Sequence, residues 1–175
     1  MLSNESLRIV DTSDRSTRIL ESASNSSVIA SSGSLVAFSE NSPSGPTVNI
    51  TSVDSDLTLT ILLDPRSSNR IEESIRNSGA LLDFGNSTIV ELVMDSNWLV
   101  ATVDVGPFNR TMIVDTLSIN QTLISNPRWD SSSPSIGEGK VAFLQVTRDD
   151  IISTSQDSLR TVSYTHLRAH ETARH

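Results

Sequence analysis

The feature that most limits what this chain can fold into is a unit that occurs about four times. Residues 29–60 align with residues 93–124 without a gap, so one unit is present twice. The segment Ile9-Val10-Asp11-Thr12 is identical to Ile113-Val114-Asp115-Thr116, and the last copy occupies residues 129–145. The spacing is about 40 residues, which is typical of repeated supersecondary units that stack on one another.

Each unit predicts four short strands, which in the first complete copy are residues 28–30, 34–39, 47–53 and 57–62. The second strand is apolar on both faces in residues 35–38 and again in residues 141–144. A strand with one wet face would alternate apolar and polar residues, so this strand is expected to lie between two neighbouring sheets. The fourth strand alternates leucine or isoleucine with threonine at residues 57–61, as in a half-exposed outer strand.

These patterns predict an all-β protein that forms a partial β-propeller of about three to four four-stranded antiparallel blades. Runs of β-branched residues and a shortage of helix formers favour this architecture over helical repeats of similar length. The copies do not supply enough blades for a ring, so an open arc is expected. Another repetitive all-β architecture, such as the stacked sandwich domains of an adhesin, remains the alternative.

The last copy also resembles a known family. The run Ser133-Pro134-Ser135-Ile136-Gly137-Glu138-Gly139-Lys140-Val141-Ala142-Phe143, with Ile113-Val114-Asp115-Thr116 in another copy, resembles the blade repeat of TolB-like β-propellers. That repeat has a Ser-Pro-Asp-Gly turn, an Ile-Ala-Phe strand and an apolar strand ending in Asp. Here the turn is Gly137-Glu138-Gly139 instead. The resemblance implies a scaffold and no catalytic residues.

An insertion at residues 64–90 separates the two aligned copies. Asn69 and Glu72 have capping-box spacing, Ile71 and Ile75 share one helical face, and Gly79 is a natural stop, which predicts a helix over residues 70–78. Residues 81–84 and 88–90, joined by a turn, predict a small hairpin. The insertion is either a recognition arm or a degenerate piece of a blade.

Arg128, Trp129 and Asp130 are the candidate binding residues, because they precede the first strand of the last copy. In propellers that connection opens on the face where the central channel emerges. Trp129 beside Asp130 is similar to a carbohydrate or peptide contact, and the alternative is an indole that seals the seam between blades. Phe108, in a predicted loop, either stacks on a ligand or tucks under a blade edge.

The two ends of the chain differ from the repeat. Residues 162–172 look like a translated adapter used in sequencing libraries, so residues 162–175 are interpreted as a non-native tail that packs against nothing, and residues 1–161 as the propeller fragment. His170 and His175 are five residues apart, whereas a zinc-protease motif needs four. Residues 7–20 match only the third and fourth strands of a unit, so Met1 is expected to open in mid-blade.

Composition excludes several kinds of chemistry. The chain has no cysteine, its three histidines all lie in residues 162–175, and its net charge is −8. Residues 1–161 therefore offer no thiol or imidazole, and no catalytic residue, metal site or cofactor is expected. Nucleic acid is an unsuitable partner for so acidic a chain, and no run of residues is long enough for a membrane span.

Six sequons, taken together with the absence of cysteine, the acidic composition and the TolB-like pattern, favour an exported protein, at the cell surface or outside the cell. They begin at Asn4, Asn25, Asn49, Asn86, Asn109 and Asn120. The function expected from the sequence is a non-catalytic propeller module that binds a protein or glycan. The alternative is the propeller domain of a larger hydrolase, such as a peptidase, whose catalytic domain is missing.

Overall fold

The computed structural model describes residues 7–10, 12–20, 28–55, 57–147 and 159–164. In these residues the chain forms four antiparallel sheets and one α-helix. The first sheet has two strands, β1 (Leu7–Val10) and β2 (Thr17–Leu20). The second sheet has four strands, β3 (Ile29–Ser32), β4 (Leu35–Ser42), β5 (Gly45–Ser52) and β6 (Thr58–Leu62).

The remaining elements follow helix α1 (Asn69–Asn77). The third sheet has four strands, β7 (Thr88–Asp95), β8 (Trp98–Asp104), β9 (Asn109–Asp115) and β10 (Asn120–Leu123). The fourth sheet has three strands, β11 (Trp129–Gly137), β12 (Lys140–Thr147) and β13 (Leu159–Tyr164). Strand order within every sheet follows the chain, and no sheet closes on itself within the described ranges. The all-β class and the four-stranded unit predicted from the repeat are confirmed.

The sheets pack face to face, and the strand β8 contacts a neighbouring sheet on each of its two faces. Leu99, Ala101 and Val103 on one face of β8 belong to an apolar cluster shared with the second sheet. Val100, on the opposite face, packs with Val141 of the fourth sheet. Because both faces of β8 are covered, most of its residues are apolar, although the buried Thr102 interrupts the run. The prediction that the second strand of the unit is covered on both faces is confirmed for residues 35–38. It is wrong for residues 141–144, because Ala142 is exposed between the buried Val141 and Phe143.

Neighbouring sheets also make polar contacts with each other. The backbone N–H of Ser96 donates to Oγ of Ser32, and these two residues occupy the same position in the two aligned copies. The N–H of Ser133 in β11 donates to both carboxylate oxygens of Glu91 in β7, at 3.0 and 2.9 Å.

The outer strand β6 is half-exposed, as its alternating pattern predicts. Phe108 is buried, which confirms the tucked alternative.

Helix α1 confirms the predicted helix but not the predicted cap. Ser68 is the N-cap and makes no side-chain capping bond, so the capping box of Asn69 and Glu72 is wrong. Glu72 instead accepts hydrogen bonds from the N–H and hydroxyl of Ser67. At the other end Gly79 has φ of +89°, a conformation that favours glycine, and it ends the helix as predicted.

The hairpin predicted after the helix is wrong. Residues 88–90 begin β7, which pairs with β8, while the described residues 81–84 form no strand. Residues 81–84 are held differently, because the N–H of Asp83 donates to the carbonyl of Val105. The segment after α1 is therefore a covering loop followed by the first strand of the third sheet.

Two further expectations differ from the structure. Trp129 is the first residue of β11 rather than part of a loop before it. Val162, Ser163 and Tyr164 pair with residues 143, 142 and 141 of β12, so the expectation that the segment packs against nothing is wrong for these three residues. Residues 165–175 and Met1 lie outside the described residues, and the adapter interpretation stays a prediction.

Candidate functional site

The predicted binding residues are divided between two elements. Arg128 is exposed, and one of its guanidinium nitrogens, Nη2, donates to Oγ of Ser74 on α1 at 2.7 Å. Trp129 and Asp130 are half-buried at the start of β11. Oδ1 of Asp130 accepts from the N–H of Asn109 at 2.7 Å, which ties β11 to β9. The structure thus brings Arg128 to the inserted helix, whereas Asp130 serves the packing of two sheets.

A buried arginine that the sequence analysis did not single out organises this region. The side chain of Arg110 on β9 is fully buried. Its Nη1 donates to the carbonyl of Pro65 at 2.9 Å and to Oε1 of Glu72 at 2.8 Å. Its Nη2 donates to the carbonyl of Pro127 at 3.0 Å and to Oε2 of Glu72 at 3.4 Å. One guanidinium therefore fixes the start of the insertion, the helix and the connection before β11.

Glu72 carries its charge at neutral pH in this arrangement. Burial alone would raise the pKa of its carboxyl, but the hydrogen bonds from Arg110 and Ser67 outweigh burial and hold the pKa below its usual range. The pKa values of Asp83 and Asp115 are also lowered, chiefly by hydrogen bonds from Asn86 and Ser118 respectively. Asp115 and Asp83 are acceptors in turns, and Glu72 is the acceptor for Arg110 and Ser67.

Phe84 covers the buried guanidinium. The guanidinium carbon of Arg110 lies 5.6 Å from the centre of the Phe84 ring, and that of Arg66 lies 5.4 Å from it. Cations at such distances interact favourably with an aromatic ring, more strongly where water is excluded. The covering loop after α1 is thus attached to the same arginine as the helix.

A cleft of about 550 Å³ lies beside Arg128, between α1, the end of β10, residues 124–128 and β12. Gln145 of β12 lines it and is 3 % exposed. Nε2 of Gln145 has no hydrogen-bond partner among the described residues. The pattern of β12 contains a signal for this residue, because Val141, Phe143 and Gln145 are all buried at period-2 spacing.

The sequons fall in different environments. Asn86 and Asn120 are exposed, and Asn109 is half-buried in β9. Asn49 is 5 % exposed, and its Nδ2, the atom that would carry a glycan, donates to a carboxylate oxygen of Glu40. Asn4 and Asn25 lie outside the described residues.

Two other kinds of site are absent from the described residues. The described residues contain no group of three or more histidine, cysteine, aspartate or glutamate side chains that could hold a metal ion. The described helix is neither long nor apolar enough to cross a membrane. No protein-family model matches the chain, and no curated protein matches it.

Proposed function

We propose that residues 1–161 form part of a β-propeller that serves as a non-catalytic interaction module of an exported protein. The observation that carries the proposal is the contact between first strands: β3 lies against β7, and β7 lies against β11. In a propeller the first strand of each blade lines the axis, so consecutive first strands are neighbours. A meander order within each sheet supports the same architecture. The likeness to TolB-like propellers remains a prediction.

The insertion and the connection before β11 are the parts suited to recognition. They depart from the repeat, and Arg110 holds them in one arrangement through Pro65, Glu72 and Pro127. A surface that is fixed before binding loses less conformational entropy when a partner docks. Arg128 and Trp129 lie next to each other at this surface, where they would contact a protein or a glycan.

The binding test is a glycan and peptide array probed with the intact protein. We expect a specific set of ligands to bind, and we expect Trp129→Ala to weaken that binding. Trp98→Ala is the matched control, because Trp98 is also a half-buried indole at the start of a strand but lies in β8. Equal loss in both variants would remove Trp129 from the site. Hydrolysis of an arrayed ligand by the protein alone would overturn the non-catalytic proposal.

Export has its own test. The protein secreted from a eukaryotic host should carry glycans on the exposed Asn86 and Asn120 and none on the buried Asn49. Peptide mapping by mass spectrometry reads the occupancy of each site. A chain that is secreted without glycans on Asn86 and Asn120 would contradict this part of the proposal.

A further inference from the structure

One edge of β1 is open, and a cleft of about 500 Å³ lies beside this strand. In the described part of the chain β1 pairs with β2 alone. All four residues of β1 line the cleft, together with Ile29 and Ser31 of β3 and Gly33 of the turn that follows β3. Alternate residues of an antiparallel strand direct their N–H and C=O groups to the same edge. The open edge of β1 therefore presents backbone donors and acceptors with which a further strand can pair.

The repeat indicates which kind of segment fits this edge. Residues 9–12 are identical to residues 113–116, so β1 corresponds to β9. Strand β9 pairs with β10 on one edge, as β1 does with β2, and with β8 on the other. The register of β8 sets Val100 opposite Ile113 of β9. The same register on β1 would set an apolar residue opposite Ile9.

The floor of the cleft contains an exposed isoleucine whose counterpart in the next sheet is buried. Ile29 in β3 and Leu92 in β7 each lie three residues before the end of their strand. Leu92 is 6 % exposed, because β7 lies against β3, β4 and β5 of the preceding sheet, whereas Ile29 is 48 % exposed. Ile29 lies opposite Phe38, on the face that packs against β1. A strand added to β1 would lie against β3 as β4 lies against β7, and its apolar side chains would cover Ile29.

The two sheets that form the cleft are fixed to each other. Leu7 and Ile9 of β1 pack against the buried Phe38 of β4. Nη1 of Arg18 in β2 donates to the carbonyls of Val53 and Ser55, both at 3.3 Å. A groove that is formed before binding loses less conformational entropy when a chain enters it.

Charge specifies one side chain of the segment that would bind. Alternation along β1 places Arg8 on the face opposite to Ile9, and Arg8 is exposed there. Arg8 corresponds to Met112 of β9, which lies opposite Ala101 of β8. An acidic residue in the place of Ala101 would pair with Arg8 across the two strands. Since β1 itself contains no acidic residue, the same edge of a second copy would not supply this partner.

We propose that the open edge of β1 binds an extended segment of a partner protein as an added antiparallel strand. An apolar residue of the segment lies opposite Ile9, apolar side chains cover Ile29, and an acidic residue lies opposite Arg8. Addition of a strand to an exposed sheet edge is a recurring mode of peptide recognition, in which backbone hydrogen bonds give affinity and alternate side chains give specificity. The inference goes beyond the proposed function, because this surface includes neither Arg128 nor Trp129.

The test uses fluorescently labelled peptides with the sequence of β8, Trp98–Asp104, and measures their dissociation constants by anisotropy. A peptide with glutamate in place of Ala101 should bind about twofold to fivefold more tightly than the unchanged sequence, as expected for one cross-strand charge pair. A peptide with proline in place of both Val100 and Ala101 should bind about tenfold or more weakly. One of any two adjacent residues must donate its N–H to β1, and proline has none.

Variants of the protein locate the bound peptide. Ile29→Ser should weaken binding by about fivefold, because the peptide covers the exposed half of this side chain. Ile19→Ser is the matched control, since Ile19 is 52 % exposed on β2 and does not line the cleft. Arg8→Glu should reverse the preference for the glutamate peptide. Arg15→Glu is the control for this change, because Arg15 is exposed in the turn after β1, outside the lining of the cleft, and should leave the preference unchanged.

Hydrogen exchange gives a separate readout, since the bound peptide should protect backbone N–H groups of residues 7–10. Absence of that protection at saturating peptide would overturn the inference. So would equal affinity of the proline peptide, unchanged affinity in Ile29→Ser, an unchanged preference in Arg8→Glu, or no binding at millimolar concentration. A dimer in sedimentation equilibrium whose contact protects residues 7–10 would assign the edge to a second copy and overturn the inference as well. Circular dichroism confirms that each variant is folded, and the peptide series tests the inference without any protein variant.

Discussion

Replacing Arg110 with methionine tests how the inserted helix is held to the sheets. The guanidinium is fully buried and donates four hydrogen bonds, two of them to the carboxylate of Glu72, which is 8 % exposed. Methionine has a similar length but leaves that carboxylate charged, buried and without its cation. Breaking a buried ion pair from one side costs about 3 to 5 kcal/mol.

The contribution of the exposed Arg66 sets the scale for comparison. Its closest approach to Asp64 is 3.8 Å, and both side chains are more than half exposed, at 63 % and 64 %. Exposed ion pairs contribute about 0 to 1 kcal/mol. Arg66→Met should therefore lower the free energy of unfolding by less than about 1 kcal/mol, although Arg66 and Arg110 lie at similar distances from the Phe84 ring.

A double variant separates loss of charge pairing from loss of packing. Arg110→Met combined with Glu72→Gln has no buried charge at this position, and the glutamine can still accept from Ser67. The double variant should be more stable than Arg110→Met alone by about 1 to 3 kcal/mol. Urea unfolding followed by the fluorescence of Trp98 and Trp129 gives each free energy.

Two results would show that Arg110 does not stabilise the protein through its charge pairing with Glu72. Arg110→Met could cost less than about 1 kcal/mol, which would mean that the carboxylate finds water or another donor. Alternatively the double variant could be as unstable as Arg110→Met, which would assign the loss to packing. If Arg110→Met does not fold, Glu72→Gln can be measured instead, because it breaks the same ion pair by removing the carboxylate and leaves the buried guanidinium without its counter-charge.

Three shorter predictions concern stability. The pKa of Glu72 in the folded protein is lowered below 4.5, so the unfolded chain takes up the proton first as the pH falls. The contribution of Glu72 to the free energy of unfolding should therefore be present above pH 4.5 and be lost below it. Glu72→Gln should make the free energy of unfolding less dependent on pH in this range in urea titrations, and an unchanged dependence would contradict the assignment. Gly106→Ala should destabilise more than Gly33→Ala in thermal melts: both glycines have positive φ, but a Cβ at Gly106 would lie 3.0 Å from the carbonyl oxygen of Leu81, whereas Gly33 has open space. Equal melting temperatures would refute the clash. Gln145→Met should raise the free energy of unfolding by about 1 kcal/mol, since it removes an unsatisfied buried donor; a clear decrease would mean that the amide serves the fold.

The four-stranded unit could be predicted from the sequence because its signals are local. The apolar run of residues 35–38, unlike the similar run of residues 141–144 in which Ala142 is exposed, correctly predicted a strand that is covered on both faces. The alternation in β6 correctly predicted an outer strand. The helix was predictable for the same reason, since Ile71 and Ile75 lie one turn apart and Gly79 follows. Such patterns depend on residues within a few positions of each other.

Pairing of the segment after the helix was decided by the tertiary structure. Residues 81–84 are as apolar as many strands, yet Leu81 is 86 % exposed and β7 pairs with β8 instead. A short hairpin can bury little by itself, whereas β8 offers a long partner with both faces covered. Competition between two partners cannot be read from either segment alone.

Almost none of the contacts in the candidate site could be predicted from the sequence. Arg128 could be singled out from its position before the last copy, but its contact with Ser74 joins residues 54 positions apart. Arg110 and Glu72 are 38 positions apart, and nothing near either residue in the sequence names the other. A buried charge or amide is recognisable only when its partners, or their absence, are known, because desolvation depends on everything packed around it. Local sequence patterns therefore specify the repeating strands, whereas long-range packing brings Arg110 to Glu72 and Arg128 to helix α1.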